Sequence, residues 1–414
     1  MRIAMLTTFY PPYHFGGDGI GVQRLATALA ERGCEVTVIH DEDAYMLRAD
    51  VEPARQASVA GIEVIGLRSR LGAVSSLLTH QLGRPIVHGA QLRRILSPGA
   101  FDVVWYHNVS LVGGPGLLAY GDGLKVYEAH EHWLVCPTHV LWRYGKELCD
   151  AKHCVTCTLS YHRPPQAWRY TGMLERQLDH IDAFIVKSEF SRDMHRTFGF
   201  ARPMEVIPYF LVDEPIGPID ATAPTAEAPY VLFVGRLENI KGVQDIIPAF
   251  AGESGPLLLI IGAGDFETEL RRQAADKPRV RFLGKLPPER ISHYYQGAIA
   301  LIVPSICYET FGIILIEAFR NATPVIARRI GPFPEIVDRG GGGVLFSTDD
   351  ELKGAIAQFH NDMPYRMHLS RQARTAFETY WRDDVVVAAY LDLLRRTAAA
   401  KGNSRVVSAL ERLQ

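Results

Sequence analysis

Short apolar segments alternate with amphipathic ones along this chain, and the alternation occurs twice. In the first half, Arg2–Leu6 and Glu35–Ile39 have strand patterns, and residues 22–29 between them place their apolar side chains at helical spacing. The further strand candidates are separated by enough chain for crossover helices, which predicts a parallel sheet covered on both faces. These candidates are Val103–Tyr106, Lys125–Tyr127 and Ala183–Val186.

The second round of alternation begins after a segment of linker composition. Residues 213–229 are rich in proline and alanine and show no hydrophobic period. We therefore predict a first domain at 1–212, a linker at 213–229, a second domain at 230–380 and a C-terminal helix at 381–414 that packs back toward the first domain. The second domain has strand candidates at Tyr230–Val234, Leu257–Ile261, Val280–Leu283, Ile299–Val303 and Pro324–Ala327, and helices beginning at Val243 and Ile313.

Composition excludes several classes of protein. The 414 residues carry a formal charge of −2, which gives no global field to attract nucleic acid, and 47% apolar with 22% charged residues is typical of globular chains. The longest apolar runs, Leu257–Ile261 and Ala298–Val303, are far shorter than the ~18 residues of a membrane span. Met1–Leu6 leads to prolines too early for a signal peptide, so we expect a cytoplasmic protein.

The loop after Tyr230–Val234 is the first candidate for binding chemistry. Arg236 and Lys241 lie between Gly235 and Gly242, directly before the predicted helix. Two cations and backbone N–H groups at a helix N-terminus suit a diphosphate. Taken alone, the loop is equally compatible with two solvated basic side chains.

A second loop places two carboxylates eight residues apart. Glu309 lies in the segment 304–312, which ends a predicted strand, and Glu317 lies about one turn into the following helix. Gly312 lets the backbone approach a ligand closely, and carboxylates accept hydrogen bonds from sugar hydroxyls. The alternative for Glu317 is an ordinary acidic residue near a helix N-terminus.

Taken together, these motifs resemble those of retaining glycosyltransferases of the GT-B fold, family 4 (group 1). The resemblance rests on Gly235–Leu237 with Lys241–Gly242, on Glu309–Gly312 with Glu317–Phe319, and on Thr323–Ala327, in this order. It implies two Rossmann-like, doubly wound α/β domains facing a central cleft, and a nucleotide-diphosphate sugar as donor, with a UDP- or GDP-sugar favoured.

The resemblance also implies roles for individual residues. Arg236 and Lys241 would bind and stabilise the leaving diphosphate, Glu309 would contact the transferred sugar, and Glu317 would bind the ribose. The donor-binding residues implied are Gly16, Gly17, Gly235, Arg236, Lys241, Gly262, Leu283, Glu309, Phe311, Gly312, Ile313 and Glu317.

Gly16 and Gly17 belong to a glycine-rich loop before the first predicted helix. This loop resembles the family's loop that approaches the donor phosphate and the acceptor, and glycine permits such an approach. A dinucleotide fingerprint G-x-G-x-x-G does not fit here, because its third glycine position holds Val22 when counted from Gly17 and Gly19. A nicotinamide dehydrogenase is therefore disfavoured, although Asp41 occupies the position of a ribose-binding acid.

His130 follows the strand candidate Lys125–Tyr127. It is predicted to be catalytic, together with Arg236, Lys241 and Glu309. The segment 127–133 resembles the family segment whose histidine reaches the transferred sugar, and His130 aligns best with that histidine. His132 is the alternative, and a hydrogen-bonded, partly buried structural imidazole is a third interpretation.

Four cysteines cluster in the first half of the chain. Cys136, Cys149, Cys154 and Cys157 lie within 22 positions, with the spacing C-x12-C-x4-C-x2-C. Four thiols can complete a tetrahedral zinc site. We favour structural zinc over reduced or disulfide-paired thiols, and both over an iron–sulfur cluster, whose usual fourth ligand lies downstream. A subset of family 4 carries a similar cluster.

Arginines are frequent between Leu67 and Leu96, among apolar residues. They could face an anionic membrane surface or an acceptor, but the sequence favours a solvated helical face.

We therefore expect a retaining glycosyltransferase that transfers a sugar to a hydroxyl of a small molecule or glycan. Protein cations rather than Mg²⁺ or Mn²⁺ would neutralise the diphosphate, and no side-chain nucleophile is assigned. The alternatives on the same fold are a nucleotide-sugar epimerase and a catalytically idle sugar-binding subunit.

Overall fold

A computed structural model describes residues 1–49, 51–54, 59–213 and 228–413. Most of the predicted linker, residues 214–227, therefore lies outside the described residues. The structure confirms the predicted fold class, because the described chain forms two doubly wound α/β units with parallel sheets.

Each unit combines segments from different parts of the chain. The first contains Met1–Lys187, Arg192–Pro208 and Val386–Gln414, and the second contains Ser188–Ser191 and Tyr209–Val385. The chain therefore returns to the first unit within its C-terminal helices.

The first unit is built on a seven-stranded parallel sheet. The strands of this sheet are β1 (Arg2–Leu6), β2 (Glu35–Asp41), β3 (Ile62–Leu67), β4 (Val103–Tyr106), β5 (Leu124–Ala129), β8 (Ala183–Val186) and β9 (Glu205–Val206). Between β5 and β8 the chain forms a separate antiparallel hairpin of β6 (Trp142–Arg143) and β7 (Glu147–Leu148). The order across the sheet is β3-β2-β1-β4-β5-β8-β9.

Helices connect these strands. They are α1 (Gly17–Glu31), α2 (Glu42–Met46), α3 (Ala73–Leu82), α4 (Gly89–Ile95), α5 (Cys154–Ser160), α6 (Met173–Leu178) and α7 (Glu189–Thr197), with 3₁₀ turns at Pro115–Ala119 and Ala167–Tyr170.

The second unit has a six-stranded parallel sheet. Its strands are β10 (Tyr230–Val234), β11 (Leu257–Ile261), β12 (Val280–Gly284), β13 (Ala300–Val303), β14 (Val325–Arg328) and β15 (Gly343–Phe346), in the order β12-β11-β10-β13-β14-β15. Its helices are α8 (Val243–Ile246), α9 (Glu267–Gln273), α10 (Pro288–Gly297), α11 (Ile313–Arg320), α12 (Phe333–Gly340), α13 (Asp349–Asn361) and α14 (Met363–Tyr380).

Two helices complete the chain. α15 (Asp383–Ala400) begins in the second unit and continues in the first, and α16 (Ser404–Glu411) follows it. Val386, Tyr390 and Leu394 of α15 are buried, as their helical spacing predicts.

Both sheets are covered on both faces, which explains their apolar strands. Every residue of β4, β5, β11 and β13 is buried. β4, β11 and β13 accordingly appear in the sequence as continuous apolar runs rather than as alternating patterns.

The helix predicted from Val243 is shorter than expected. α8 ends at Ile246, and the chain continues as a 3₁₀ helix, Ile247–Phe250. Pro248 has no N–H to donate and limits a continued α-helix. A four-residue helix has only a small dipole, so a helix N-terminus can contribute little to anion binding at this loop.

Candidate functional site

Three loops of the second unit follow the carboxyl ends of adjacent strands. β11, β10 and β13 are neighbours in the sheet. Residues 262–266 follow β11, residues 235–242 follow β10, and residues 304–312 follow β13. Carboxyl ends of parallel strands share one edge of the sheet, where open α/β folds bind ligands.

Glycines allow these loops to touch through their backbones. Gly242 has φ +71°, and a Cβ there would overlap the carbonyl oxygen of Pro304. Gly262 has φ +148°, and a Cβ there would overlap the carbonyl oxygen of Gly235. The relative positions of the three loops are therefore determined by main-chain contacts that a larger residue would disrupt.

Lys241 and Glu309 form an ion pair across two of these loops. Lys241 Nζ donates to Glu309 Oε1 over 2.7 Å, and Ser305 Oγ donates to the same oxygen over 2.9 Å. The two charged side chains are 23% and 19% exposed, so both remain accessible at the surface of the unit.

The pair keeps both groups charged. Burial alone would raise the pKa of Glu309, but the charge and hydrogen bond of Lys241 outweigh it and hold the pKa below its usual value. Burial alone would lower the pKa of Lys241, but Glu309 outweighs it and raises the pKa. The loops thus present one fixed ammonium and one fixed carboxylate at neutral pH.

Arg236 contributes a second cation to the same loop edge. Its side chain is 59% exposed and its Nη1 lies 2.7 Å from Glu238 Oε1. Such an exposed pair is weak and gives way readily to a stronger anion. Since α8 is short, the positive potential of this loop comes from Arg236 and Lys241 themselves.

Helix α11 begins beside the carboxylate of the pair. Gly312 has φ +103° at its N-terminus, and a Cβ there would lie 2.7 Å from the ring of Phe333. Phe311 is buried and Ile313 is half-buried. Leu315 N donates to the N-cap carbonyl of Gly312 over 3.0 Å, which leaves the N–H groups of Ile313 and Ile314 as donors at the start of this eight-residue helix.

Glu317 lies one turn further along α11. Tyr295 Oη donates to Glu317 Oε2 over 3.2 Å. Leu283, one of the predicted donor-binding residues, is half-buried at the end of β12, where Gly262 N donates to the carbonyl of Gly284 over 2.9 Å. The predicted site residues of the second unit therefore lie on loops and at a helix start after the strands, except Leu283 within β12 and Glu317 one turn into α11.

In the first unit, Gly16 and Gly17 start helix α1. Gly16 is its N-cap, and a Cβ at Gly17 would meet no atom within 4 Å. Packing within the described residues therefore does not require glycine at position 17. The neighbouring Asp18 accepts from Asn108 Nδ2 over 3.3 Å, and burial raises the pKa of this carboxyl.

His130 is enclosed in the first unit. Its side chain is 2% exposed, and its Nε2 lies 2.9 Å from His107 Nδ1 and 3.8 Å from Glu128 Oε1. Burial lowers the pKa of His130 well below the usual histidine value, so the ring is neutral. His132, the predicted alternative, is also buried and lies against His195, with ring centroids 5.3 Å apart.

The partners of His130 form a buried polar network that the sequence analysis missed. Glu128 is buried, bonds to Lys187 Nζ and accepts from Tyr390 Oη over 2.8 Å. Burial alone would raise the pKa of Glu128, but Lys187 and the histidines lower it to about 2. Lys125 and Glu128 within an otherwise apolar strand were the available signal, but the sequence does not show that Tyr390 approaches from α15.

Two groups of side chains have metal-ligand geometry within the described ranges. They are His107 with Glu128 and His130, and Asp41 with Asp43 and His88. Lys187 already balances the charge of the first group.

Asp43 in the second group accepts from Ser69 and from His88 Nε2 over 3.0 Å. Asp41, which the sequence places as a ribose-binding acid, instead caps α2 by accepting from Ala44 N over 3.0 Å and is buried. Hydrogen bonds within the unit therefore account for both carboxylates.

The four clustered cysteines line one small cavity of about 20 Å³. All are free thiols, and they share the cavity with Trp142, Arg143 and His153. In the part of the chain that the structure describes, the groups of ligand atoms within 4.8 Å of one another do not include these sulfurs. The four thiols therefore line the same cavity, but their sulfur atoms are not all within 4.8 Å of one another. The cluster consists of Cys136, Cys149, Cys154 and Cys157.

Comparison with known families identifies the chain. Residues 15–211 match the family described as Glycosyltransferase Family 4, and residues 220–376 match Glycosyl transferases group 1. The chain belongs to this glycosyltransferase family. Among its relatives is glycogen synthase of Mycobacterium tuberculosis, which is 26% identical over 400 residues, or 91% of this chain and 89% of the relative.

Solved structures show that this glycosyltransferase has the GT-B fold. Sucrose-phosphate synthase from Thermosynechococcus elongatus superposes with a TM-score of 0.75 at 20% identity, covering 96% of this chain and 99% of that one. Anabaena HepE, solved in complex with UDP and glucose, gives 0.64 at 18% identity, covering 95% and 100%. None of the helices in the described ranges has the length and apolar character needed to cross a membrane.

Proposed function

We propose that this glycosyltransferase transfers a sugar from a UDP- or GDP-sugar to a hydroxyl of a small molecule or glycan, with retention of anomeric configuration. The observation that carries the proposal is the Lys241–Glu309 pair, fixed at 2.7 Å where two loops meet at the sheet edge. A single edge then offers a cation for phosphate and a carboxylate for sugar hydroxyls.

The leaving diphosphate gains charge as its bond to the sugar breaks, and the proposed role of the loop cations is to stabilise that charge. Arg236 and Lys241 provide positive charge, and the N–H groups of Ile313 and Ile314 at the start of α11 add hydrogen-bond donors. These groups are in place before the reaction, so stabilising the charge requires little rearrangement.

The two carboxylates are assigned to the sugar and the ribose. Glu309 stays ionised because of Lys241 and can accept hydrogen bonds from hydroxyls of the transferred sugar. Glu317, held by Tyr295 one turn into α11, is assigned to the ribose. We assign no nucleophile; instead, the leaving phosphate accepts the acceptor's proton.

His130 is retained as the candidate that contacts the sugar from the first unit. Its ring is neutral, so it can act as a hydrogen-bond donor or acceptor without carrying charge. Because the side chain is only 2% exposed, a sugar can reach it only when a neighbouring side chain moves aside.

UDP is the first donor nucleotide to test. The HepE structures contain UDP on the same fold, which supports a uridine donor here. The proposal includes catalysis without Mg²⁺ or Mn²⁺, since Arg236 and Lys241 occupy the role of a metal at the diphosphate. Transfer should therefore persist in EDTA at the untreated rate.

The proposal also includes a structural zinc ion held by the four cysteines. The support is their convergence on one cavity, whose volume of about 20 Å³ is of the order of a single bound atom or water. The four thiolates would hold the zinc, and the bound ion would fix the loop that follows His130. Metal analysis should find about one zinc per chain, lost in Cys149→Ser with Cys154→Ser and retained in Cys34→Ser.

The deciding experiment is thermal unfolding with UDP, GDP, ADP, CDP and dTDP. A ligand at 100 times its dissociation constant stabilises by about 2.7 kcal/mol, which raises the Tm of a unit of this size by roughly 5–10 °C. Lys241→Ala should remove most of the shift, whereas Lys353→Ala, on the exposed side of α13, should keep it.

Turnover then separates the remaining alternatives. A nucleotide response with transfer and a retained anomeric configuration by NMR supports the proposal. Donor binding without transfer would favour a sugar-binding subunit, and interconversion of nucleotide sugars without an acceptor would favour an epimerase. Wild-type transfer by Lys241→Ala would refute the assignment of the diphosphate site.

A further inference from the structure

Helix α3 turns its polar residues inward and its apolar residues outward. Ser75, Ser76 and Thr79 are 1%, 0% and 3% exposed, whereas Val74 and Leu77 are 50% and 45% exposed. A surface helix of a globular protein normally has the opposite arrangement. About half of each of these apolar side chains therefore remains uncovered by the described residues.

The inward face is held in place by specific contacts. Ser76 Oγ lies 3.5 Å from the buried Asp41 carboxylate. At the C-terminus of the helix, Gly83 has φ +64°, and a Cβ there would lie 3.0 Å from the indole of Trp168. Since this face is small and polar, α3 cannot rotate to bury its apolar side chains without placing them against a carboxylate.

Five apolar side chains that are 45–53% exposed lie on α3 or next to its ends, and they are here called the α3 apolar patch. At 100° per residue, Val74, Leu77 and Leu82 fall within an arc of about 140° on the helix. Leu71 precedes the helix and Ile86 follows it, and they are 53% and 49% exposed. The patch consists of Leu71, Val74, Leu77, Leu82 and Ile86.

The segment around the patch is strongly basic. Residues 69–101 contain Arg70, Arg84, Arg93 and Arg94 but no Asp or Glu, although the whole chain carries a charge of −2. Arg70, Arg84 and Arg94 are exposed, and the described residues place no carboxylate within ion-pair distance of them. Among the described residues these three arginines leave exposed positive charge on the segment, whereas Asp41 and Asp43, two carboxylates that contact it, are buried.

These two properties identify the kind of surface that fits. An isologous contact with a second copy would bring arginine against arginine, because a two-fold interface pairs a patch with itself. A solvated helical face, favoured from sequence alone, would present polar residues rather than leucines. An anionic lipid surface offers phosphates for the arginines and acyl chains for the leucines at the same interface.

We propose that the α3 apolar patch and its arginines form a docking surface for anionic membrane lipid. The patch lies in the plane of the interface, with leucines below the headgroups and arginines at the phosphates. The inference is independent of the sugar-transfer proposal, because it concerns only the first unit and its readout is binding to lipid.

The test is cosedimentation of the full chain with vesicles. With vesicles of about one-third phosphatidylglycerol in phosphatidylcholine, the protein should bind at about 0.1 M salt and largely dissociate at about 1 M, where the Debye length falls from ~10 to ~3 Å. Phosphatidylcholine vesicles alone should bind at least tenfold less. Arg84→Ala with Arg94→Ala should weaken binding by about 25-fold, since each basic residue contributes about fivefold.

The apolar contribution is tested separately. Leu77→Gln with Leu82→Gln should weaken binding to the same vesicles more than tenfold. Two control variants should leave binding unchanged. One is Met363→Gln with Met367→Gln, which changes two exposed apolar residues of α14, and the other is Arg290→Ala, at an exposed arginine of α10. Circular dichroism of each variant identifies any that fails to fold.

Several results would overturn the proposal. One is absence of wild-type binding to the phosphatidylglycerol vesicles, and another is equal binding by the leucine variant. If the chain ignores vesicles but binds an acidic polypeptide in a salt-dependent way through Arg84 and Arg94, the surface serves a protein partner instead.

Discussion

Replacing either member of the Lys241–Glu309 pair should have two distinguishable effects, one on stability and one on chemistry. The charged atoms are 2.7 Å apart, and the side chains are 23% and 19% exposed. At an effective dielectric of about 20, the gross attraction is roughly 6 kcal/mol. Desolvation removes most of it, and a net coupling of about 2 kcal/mol lies between the values for exposed and buried pairs.

A double-mutant cycle of Lys241→Met and Glu309→Gln measures that coupling. Each single variant should lower the Tm of the second unit by roughly 4–8 °C, and the double variant should lose less than the sum of the two. A coupling energy below about 0.5 kcal/mol would refute the ion pair as a determinant of loop structure.

The coupling should be present at pH 7 and disappear at both extremes. The pKa of Glu309 is held below its ordinary 4.5 in the folded state, so its contribution is complete above that value and is lost as pH falls through the lowered pKa. The pKa of Lys241 is raised above 10.5, so its contribution is lost only as pH rises through that raised value. Cycles at acidic, neutral and alkaline pH test this window.

The kinetic signatures should differ between the two residues. Lys241→Met should lower kcat by about 10²–10³-fold and weaken binding of the nucleoside diphosphate, because it removes charge that stabilises the leaving group. Glu309→Gln should lower kcat but leave diphosphate binding equal or tighter, because Lys241 is released from its carboxylate partner. Equal weakening of diphosphate binding in both variants would contradict the division of roles.

Three further predictions concern stability. Gly242→Ala should destabilise the second unit by more than about 3 kcal/mol in urea unfolding, since its φ is +71° and the Cβ would overlap a neighbouring carbonyl; an unchanged midpoint would contradict this. Lys187→Met should cost about 3–5 kcal/mol by leaving the Glu128 carboxylate buried without its cation, and adding Glu128→Gln should recover part of the loss. Burial lowers the pKa values of His40 and His107 to about 4. The free energy of unfolding should therefore fall by up to roughly 3 kcal/mol per histidine as pH drops from 6.5 to 4. His107→Gln should reduce this pH dependence.

Much of the fold is visible in the sequence because a parallel sheet buries its strands on both faces. β4 and β11 are continuous apolar runs for that reason, and both were predicted. β3, β9 and β15 were missed. β3 alternates weakly, β9 has two residues, and β15 follows three glycines, so none has a distinctive pattern.

The residues of the candidate donor site stand out in the sequence because their motifs combine glycine, cations and carboxylates at fixed spacing after strands. Lys241 and Glu309 are 68 positions apart, however, and their spacing does not predict their 2.7 Å contact. The contact depends on backbone crossings such as the approach of Gly242 to Pro304.

The sequence by itself determined the fold class, the loops that carry charge and the basic character of residues 69–101. Only the tertiary structure decided which partners those groups have, because partners are set by which elements pack together and not by neighbours along the chain. It encloses His130 with His107 and Glu128, and it turns the leucine-bearing face of α3 outward. Helical periodicity identifies the two faces of a helix, but packing against the rest of the molecule decides which one is buried.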